Sequence, residues 1–232
     1  MAPASSNHKP PTLPVLIEAG PKGKRLVAVA TSWPGLERNG KTEEEAVAKL
    51  ASYLPRYASV ARRAGLGTAF EALTEPKVVG HYTGTGSTDF WGISFAPSPL
   101  DREPYEAATF DRQVALLEAV WAEFDATTKR VTGELKLGPR GGGRERDHVI
   151  RHVLANEGQD FAKRVHAPAE LEDLQTPNGL KAHRRRFVAA MRAWYAEGKP
   201  LGNWTVPYLL RHTAYHALDH AWEMQDRDPK HG

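Results

Sequence analysis

The sequence predicts an α+β protein: a small N-terminal α+β module followed by an antiparallel four-helix bundle. Three observations predict it. Short β-like runs separated by turn residues fill the first third of the chain, and long stretches with apolar residues at helical spacing follow from about residue 104. Between them stands a segment rich in Gly and Pro.

The elements follow in order. Residues 1–12, "MAPASSNHKPPT", are rich in Pro and Ser and are expected to be a disordered tail. "LPVLIEAG" (13–20) and "KRLVAVATSW" (24–33) read as two strands joined by the turn-forming "PKGK". Thr42 with Glu45 three residues on predicts a capping box, each side chain satisfying a free amide at a helix start. That helix is expected to run to about Ala64, to kink or split at Pro55, and to stop near Gly65 and Gly67. "FEALTEPKVVGHYTG" (70–84) reads as extended again, so the α+β module spans 13–80. Residues 81–103, including "GTGSTDFWGISF", read as a linker loop packed between the two parts.

The bundle takes residues 104–232, with helices expected at about 104–132, 144–166, 177–197 and 205–227. The first carries Phe110, Val114, Leu117, Val120, Trp121, Phe124 and Val131 at helical spacing, an apolar stripe of the kind that bundles bury. "GPRGGGRER" (138–146) lacks both the Lys-Ser/Thr ending of a P-loop and a strand before it, and reads as a flexible connection.

Composition narrows the function classes. The chain has 232 residues, 41% hydrophobic and 25% charged, with net charge +3 and pI about 9.1. That basic excess is too small to imply nucleic acid. There is no cysteine, so disulfides, Fe–S clusters, thiolate zinc sites and a cysteine nucleophile are excluded, and any metal must use His, Asp or Glu. The N-terminus lacks the basic and apolar regions of a secretory signal, and no window offers ~20 consecutive apolar residues. A cytoplasmic protein with no membrane partner is expected.

The histidines carry the chemistry. "RHTAYHALDHAWEMQDRDP" (211–229) places His212, His216 and His220 at intervals of four, in one column of a helix. An adjacent pair can bite one ion. All three cannot, because the outer two lie about 12 Å apart by helical rise. Either one pair ligates or two sites exist. A second column, His148 and His152 in "RDHVIRHVLANE", stands on the second helix of the bundle, which could supply a third imidazole from across the core. Three neutral imidazoles with open positions are the ligand set of a reactive divalent-metal site.

"YHALDHAWEMQDRD" and "HVIRHVLANE" resemble the DinB-like metal-dependent bundles, the superfamily that includes bacterial thiol S-transferases. The resemblance covers roughly residues 100–228. The family's pattern of one His on the second helix and H-x-x-x-H on the fourth is met by His152, His216 and His220, which the resemblance makes the metal ligands. His148, His212, Asp219 and Glu223 are then candidates to orient those imidazoles by accepting or shielding their second N–H. The implied cofactor is a divalent ion, zinc first, with nickel or iron suiting the same donors. The resemblance implies a transferase that activates a low-molecular-weight thiol, or water, at this site, with a small thiol and an electrophile as substrates and with room for a homodimer. Coordination to a dication deprotonates a thiol that is otherwise mostly protonated at neutral pH. "VAVATSWPGLERNGKTEEEAVAKL" separately resembles the small HicB-like α+β fold, known from antitoxins. It prompts an alternative: a non-catalytic binding or regulatory protein with a structural or sensory metal site.

Other signals read as structure. Glu145-x-x-His148 has the spacing of a di-iron ligand pair but no second copy. "KAHRRRF" (181–187) reads as a solvated helix face, and Tyr215 and Trp222 as packing. Glu157 lies about 140° round its helix from His152, away from any shared ion.

Overall fold

The computed structural model describes residues 11–138 and 145–231; most of the expected N-terminal tail and the glycines at 141–143 lie outside the described residues. The protein is of mixed α/β type, about 59% helical with one four-stranded sheet. Strand β1 (Leu13–Ala19) pairs antiparallel with β2 (Leu26–Val29), with Leu16 opposite Val29 and Glu18 opposite Val27. It also pairs in parallel with β4 (Pro76–Thr83), across an irregularity between Val15 and Leu16. A strand the sequence does not announce, β3 (Glu37–Gly40), extends the sheet beyond β2 in the order β3-β2-β1-β4. Its residues, "ERNG", have no apolar alternation, yet Glu37 and Arg38 are buried.

A parallel pair needs a long crossover. Helices α1 (Glu43–Ser52), α2 (Leu54–Arg63) and α3 (Gly67–Glu71) supply it between β3 and β4. Thr42 caps α1 by accepting the Glu45 amide at 3.2 Å, while the Glu45 carboxylate takes the amide of Lys41 rather than that of Thr42. Pro55 falls in the first turn of α2, where its missing N–H breaks no helical bond, so the expected single helix is split.

The linker expectation needs correction. Residues 81–103 hold the end of β4 and two short helices, α4 (Gly86–Trp91) and α5 (Pro99–Arg102), each opened by a capping box, at Thr85 and at Ser98. Beyond them come α6 (Ala107–Arg130), α7 (Arg146–Ala155), the single-turn α8 (Leu171–Leu174), α9 (Pro177–Ala196) and α10 (Val206–Arg227). The second long helix stops eleven residues short of expectation. It gives way to a π-helical turn at Asn156–Phe161 and a 3-10 turn at Ala162–Val165. The wider turn brings Glu157, Gly158 and Phe161 inward. Gly158 is required there, since a Cβ would stand 2.7 Å from Leu174 and 2.8 Å from the Ala169 carbonyl.

Helix α10 packs along α6 and also against α7 and α9. One continuous apolar core joins Leu13, Ile17, Leu50 and Tyr57 of the N-terminal part to Leu117, Phe124, Phe187 and Leu218 of the helices. No helix among the described residues is long and apolar enough to cross a membrane.

Within that core lies a polar knot. Arg211 of α10 is 1% exposed. Its guanidinium pairs with Glu37 of β3 and Asp101 of α5, the latter at 2.8 Å, and donates to Ser94 Oγ at 3.1 Å. Ser94 in turn donates to Glu18 of β1 at 2.6 Å, and Thr88 and the Phe95 amide also donate to that carboxylate, at 2.6 and 2.9 Å. Burial pushes the Glu37 carboxyl up to about 7, with Arg211 pulling the other way. A second buried pair corrects the solvated-face reading of 181–187. Arg184 turns inward to Glu157, donating at 3.0 Å, and His183 is fully buried with neither ring nitrogen hydrogen-bonded. The helical period explains this, because residues 183, 184, 187 and 188 share the stripe that faces the core.

Replacing Arg211 with Met should cost about 3–5 kcal/mol, because Glu37 and Asp101 would be left as uncompensated buried acids. Urea unfolding monitored by circular dichroism measures it, and a loss under 1 kcal/mol contradicts it. Burial first, then the charges of Arg186 and Arg184, hold the His183 imidazole down at about 4, against an ordinary 6.5. The folded state therefore binds fewer protons than the unfolded state between those values. This contribution is whole above pH 6.5 and is lost as pH falls toward 4. For His183→Leu, the stability difference between pH 7.5 and pH 5 should shrink by about 2 kcal/mol relative to wild type.

Candidate metal centre

Helix α10 opens on Thr205, whose hydroxyl accepts the Tyr208 amide, with Pro207 in the first turn. The uninterrupted helix sets His216 and His220 on successive turns, with ring centroids 4.8 Å apart. From the last turn of α7, His152 enters the same space, 5.1 Å from the His216 ring and 4.9 Å from the His220 ring. Nε2 of His152 lies 3.2 Å from Nε2 of His216, and one ring nitrogen from each of the three residues falls within 4.8 Å of the others. Two Zn–N bonds of ~2.1 Å at a tetrahedral angle put the nitrogens about 3.4 Å apart. The observed spacing meets that for one pair, and a nitrogen of the third residue lies within 4.8 Å of both. The three imidazoles, all half-buried, could hold a metal ion.

The orientation of the rings is itself supported. His220 Nδ1 lies 2.7 Å from Glu223 Oε2, and the other Glu223 oxygen accepts from Arg227 at 2.7 Å. The hydrogen bond from His220, helped by Arg227 and opposed by burial, holds the Glu223 carboxyl down at about 2. An ionised acceptor at Nδ1 fixes the proton there and leaves the Nε2 lone pair for a cation. Asn156, four residues after His152, donates to the His152 carbonyl at 2.8 Å and sits 3.4 Å from its Nδ1.

A cavity of about 510 Å³ opens onto the histidines. Its walls come from three stretches of chain: Trp91, Ile93 and Phe95; His152 to Arg164; and Trp204 to His220. Phe161 stands edge-on to His216 at 5.4 Å. The walls are thus largely aromatic, with Asp160, Arg164 and Asp219 as the charged groups.

The other expected histidines and carboxylates divide. Glu223 meets His220. His212 does not join the ligand group: it lies deeper, boxed by Phe95, Phe161, Trp204 and Tyr208 at 5.1–5.5 Å, with Nδ1 3.3 Å from the Tyr208 hydroxyl. Burial, and next the charge of Arg211, push it down to about 3, so it is a neutral wall. His148 is exposed and outside both the ligand group and the cavity, because its position on α7 faces solvent. Asp219 lines the cavity but pairs with Arg38 at 3.3 Å, not with an imidazole. Arg38 is held for that contact by stacking on Tyr53 and Trp222, 3.8 and 4.4 Å from their ring centres. Tyr215 lines the cavity as well as packing. Asn156 stands at the i+4 spacing that marks the histidine columns and was legible on that ground. Phe161 and Trp204 carry no such mark.

Glu223→Gln should weaken metal binding by about 10–100-fold, read by competition with a chromophoric chelator. Asp219→Asn should leave it nearly unchanged, and equal effects of the two would contradict the assignment. Comparison with protein-family models, curated proteins and solved structures finds no match to this chain.

Proposed function

We propose that the protein is a divalent-metal-dependent, transferase-type enzyme of the DinB-like kind, with α6, α7, α9 and α10 as its four-helix bundle. In this reading His152, His216 and His220 hold the ion, and a low-molecular-weight thiol is the group transferred to an electrophile. One observation carries the reading: three imidazoles from two separate helices converge within 4.8 Å beside an open cavity. Three neutral ligands leave coordination positions free for a substrate, where a structural site would be closed by a fourth side chain. Zinc suits this donor set, as do nickel and ferrous iron. Such a dication, when bound, lowers the pKa of a thiol or water placed on it and so supplies a nucleophile near neutral pH.

The chain's own groups do the remaining work. Glu223 holds the Nδ1 proton of His220 and so keeps that ring aimed. Phe95, Phe161 and Trp204 make a wall with little affinity for water, which strengthens every charge interaction inside it. With no cysteine in the chain, the sulfur must enter as substrate.

The protein as isolated should carry about one equivalent of zinc, nickel or iron by elemental analysis, and His216→Ala should abolish that content. Chelation should remove thiol-transfer activity toward a model electrophile while the far-ultraviolet circular dichroism persists. Metal content unchanged in His216→Ala sinks the proposal. A metal-loaded protein with no turnover and a macromolecule that co-purifies would favour a binding or regulatory role instead.

A further inference from the structure

The cavity beside the histidines is also lined by a cation held without an anion. Arg164 lies on the 3-10 turn Ala162–Val165, with its guanidinium carbon 3.7 Å over the ring of Trp204. Among the described residues it makes no ion pair and no hydrogen bond to another side chain. Stacking fixes a guanidinium by its face and leaves the N–H edge free, the geometry that takes a carboxylate in two parallel bonds. Trp204 borders Phe161 at 6.4 Å, and Phe161 borders His216 at 5.4 Å, so an aromatic wall runs from the ligand imidazoles to the arginine.

The remaining charges of the cavity agree. Asp219 is already paired with Arg38, which leaves Asp160 and Arg164 at the rim. Three neutral imidazoles do not cancel the charge of a dication, so the loaded cavity favours an anionic guest. Resting on the function proposed above, we propose that Arg164 binds a carboxylate at the far end of the substrate thiol. The site then selects an amphipathic mercapto-carboxylate over neutral or cationic thiols: sulfur at the histidines, an apolar middle against Phe161 and Trp204, and the carboxylate on Arg164.

A matched series of probes tests this on the full chain loaded with cobalt(II), whose near-ultraviolet charge-transfer band reports sulfur binding without any turnover. The probes are 6-mercaptohexanoate, 6-mercaptohexanol and 6-aminohexanethiol. The carboxylate should bind at least about tenfold more tightly than the alcohol, and the amine most weakly. Arg164→Gln should bring the carboxylate to the alcohol's level without moving cobalt affinity or alcohol binding, and Arg164→Lys should restore part of the preference. Three equal affinities overturn the inference, as does a preference that survives Arg164→Gln. Tightest binding of the amine also overturns it, because Asp160 would then be the selecting group. These failures leave the three-histidine reading standing. Absence of cobalt binding, or of a sulfur band with every probe, defeats that reading and this inference together.

Discussion

A fully buried arginine imposes the strongest constraint on this protein. Arg211 cannot sit in an apolar core without partners, because an isolated buried charge costs far more than a domain's net stability. Its partners, Glu37, Asp101 and Ser94, lie on β3, on α5 and on the stretch between α4 and α5. Satisfying one side chain therefore places a strand, a short helix and a connecting segment around α10 at once. A buried network of this kind adds little net stability over well-packed apolar groups, but its geometry penalises every alternative rotation or register of the helix. Gly35 completes the contact. It sits at φ +91°, where a Cβ would meet Leu218 at 3.0 Å and the Ala214 carbonyl at 3.3 Å, so the turn before β3 lies directly on the helix backbone.

That constraint reaches the three-histidine group through helical geometry. His216 lies about 140° round α10 from Arg211, and His220 about 40° further on from His216. A helix pinned by its arginine toward the sheet therefore points its histidines elsewhere, toward α7 and His152. The same polar knot holds Ser94 and Phe95, and with them the segment whose Trp91, Ile93 and Phe95 wall the cavity. The N-terminal α+β part is thus not a separate appendage. It shares the core with the helices and supplies one side of the space in front of the histidines.

Much of the local structure was legible because local physics determines it. Thr42, Thr176 and Thr205 mark helix starts through hydroxyls that accept free amides, and α9 and α10 follow within one residue of expectation. The strands built from continuous apolar runs, β1 and β2, declare themselves. What failed to declare itself was polar and buried. Strand β3 is built from Glu, Arg and Asn, and its burial depends on Arg211, Tyr53 and Trp222, far away in sequence. Helices α4 and α5 hide among Gly and Pro that look like a loop. The π turn after Ala155 depends on Gly158 meeting Leu174 and on Glu157 reaching Arg184. Arg184 itself sits in a run of basic residues that only the tertiary packing divides into buried and exposed.

The sequence by itself determined which chemistry was available: no thiol of its own, two histidine columns four residues apart, and helices long enough to present them. Spacing within one helix cannot choose among His212, His216 and His220, because all three share a face. The tertiary structure chose. It set His152 against the lower two of the column and closed aromatic rings around His212, and it left His148 in solvent. Contacts between distant segments depend on how two helices are rotated against each other, and that rotation is fixed by side chains such as Arg211 whose partners no local pattern names.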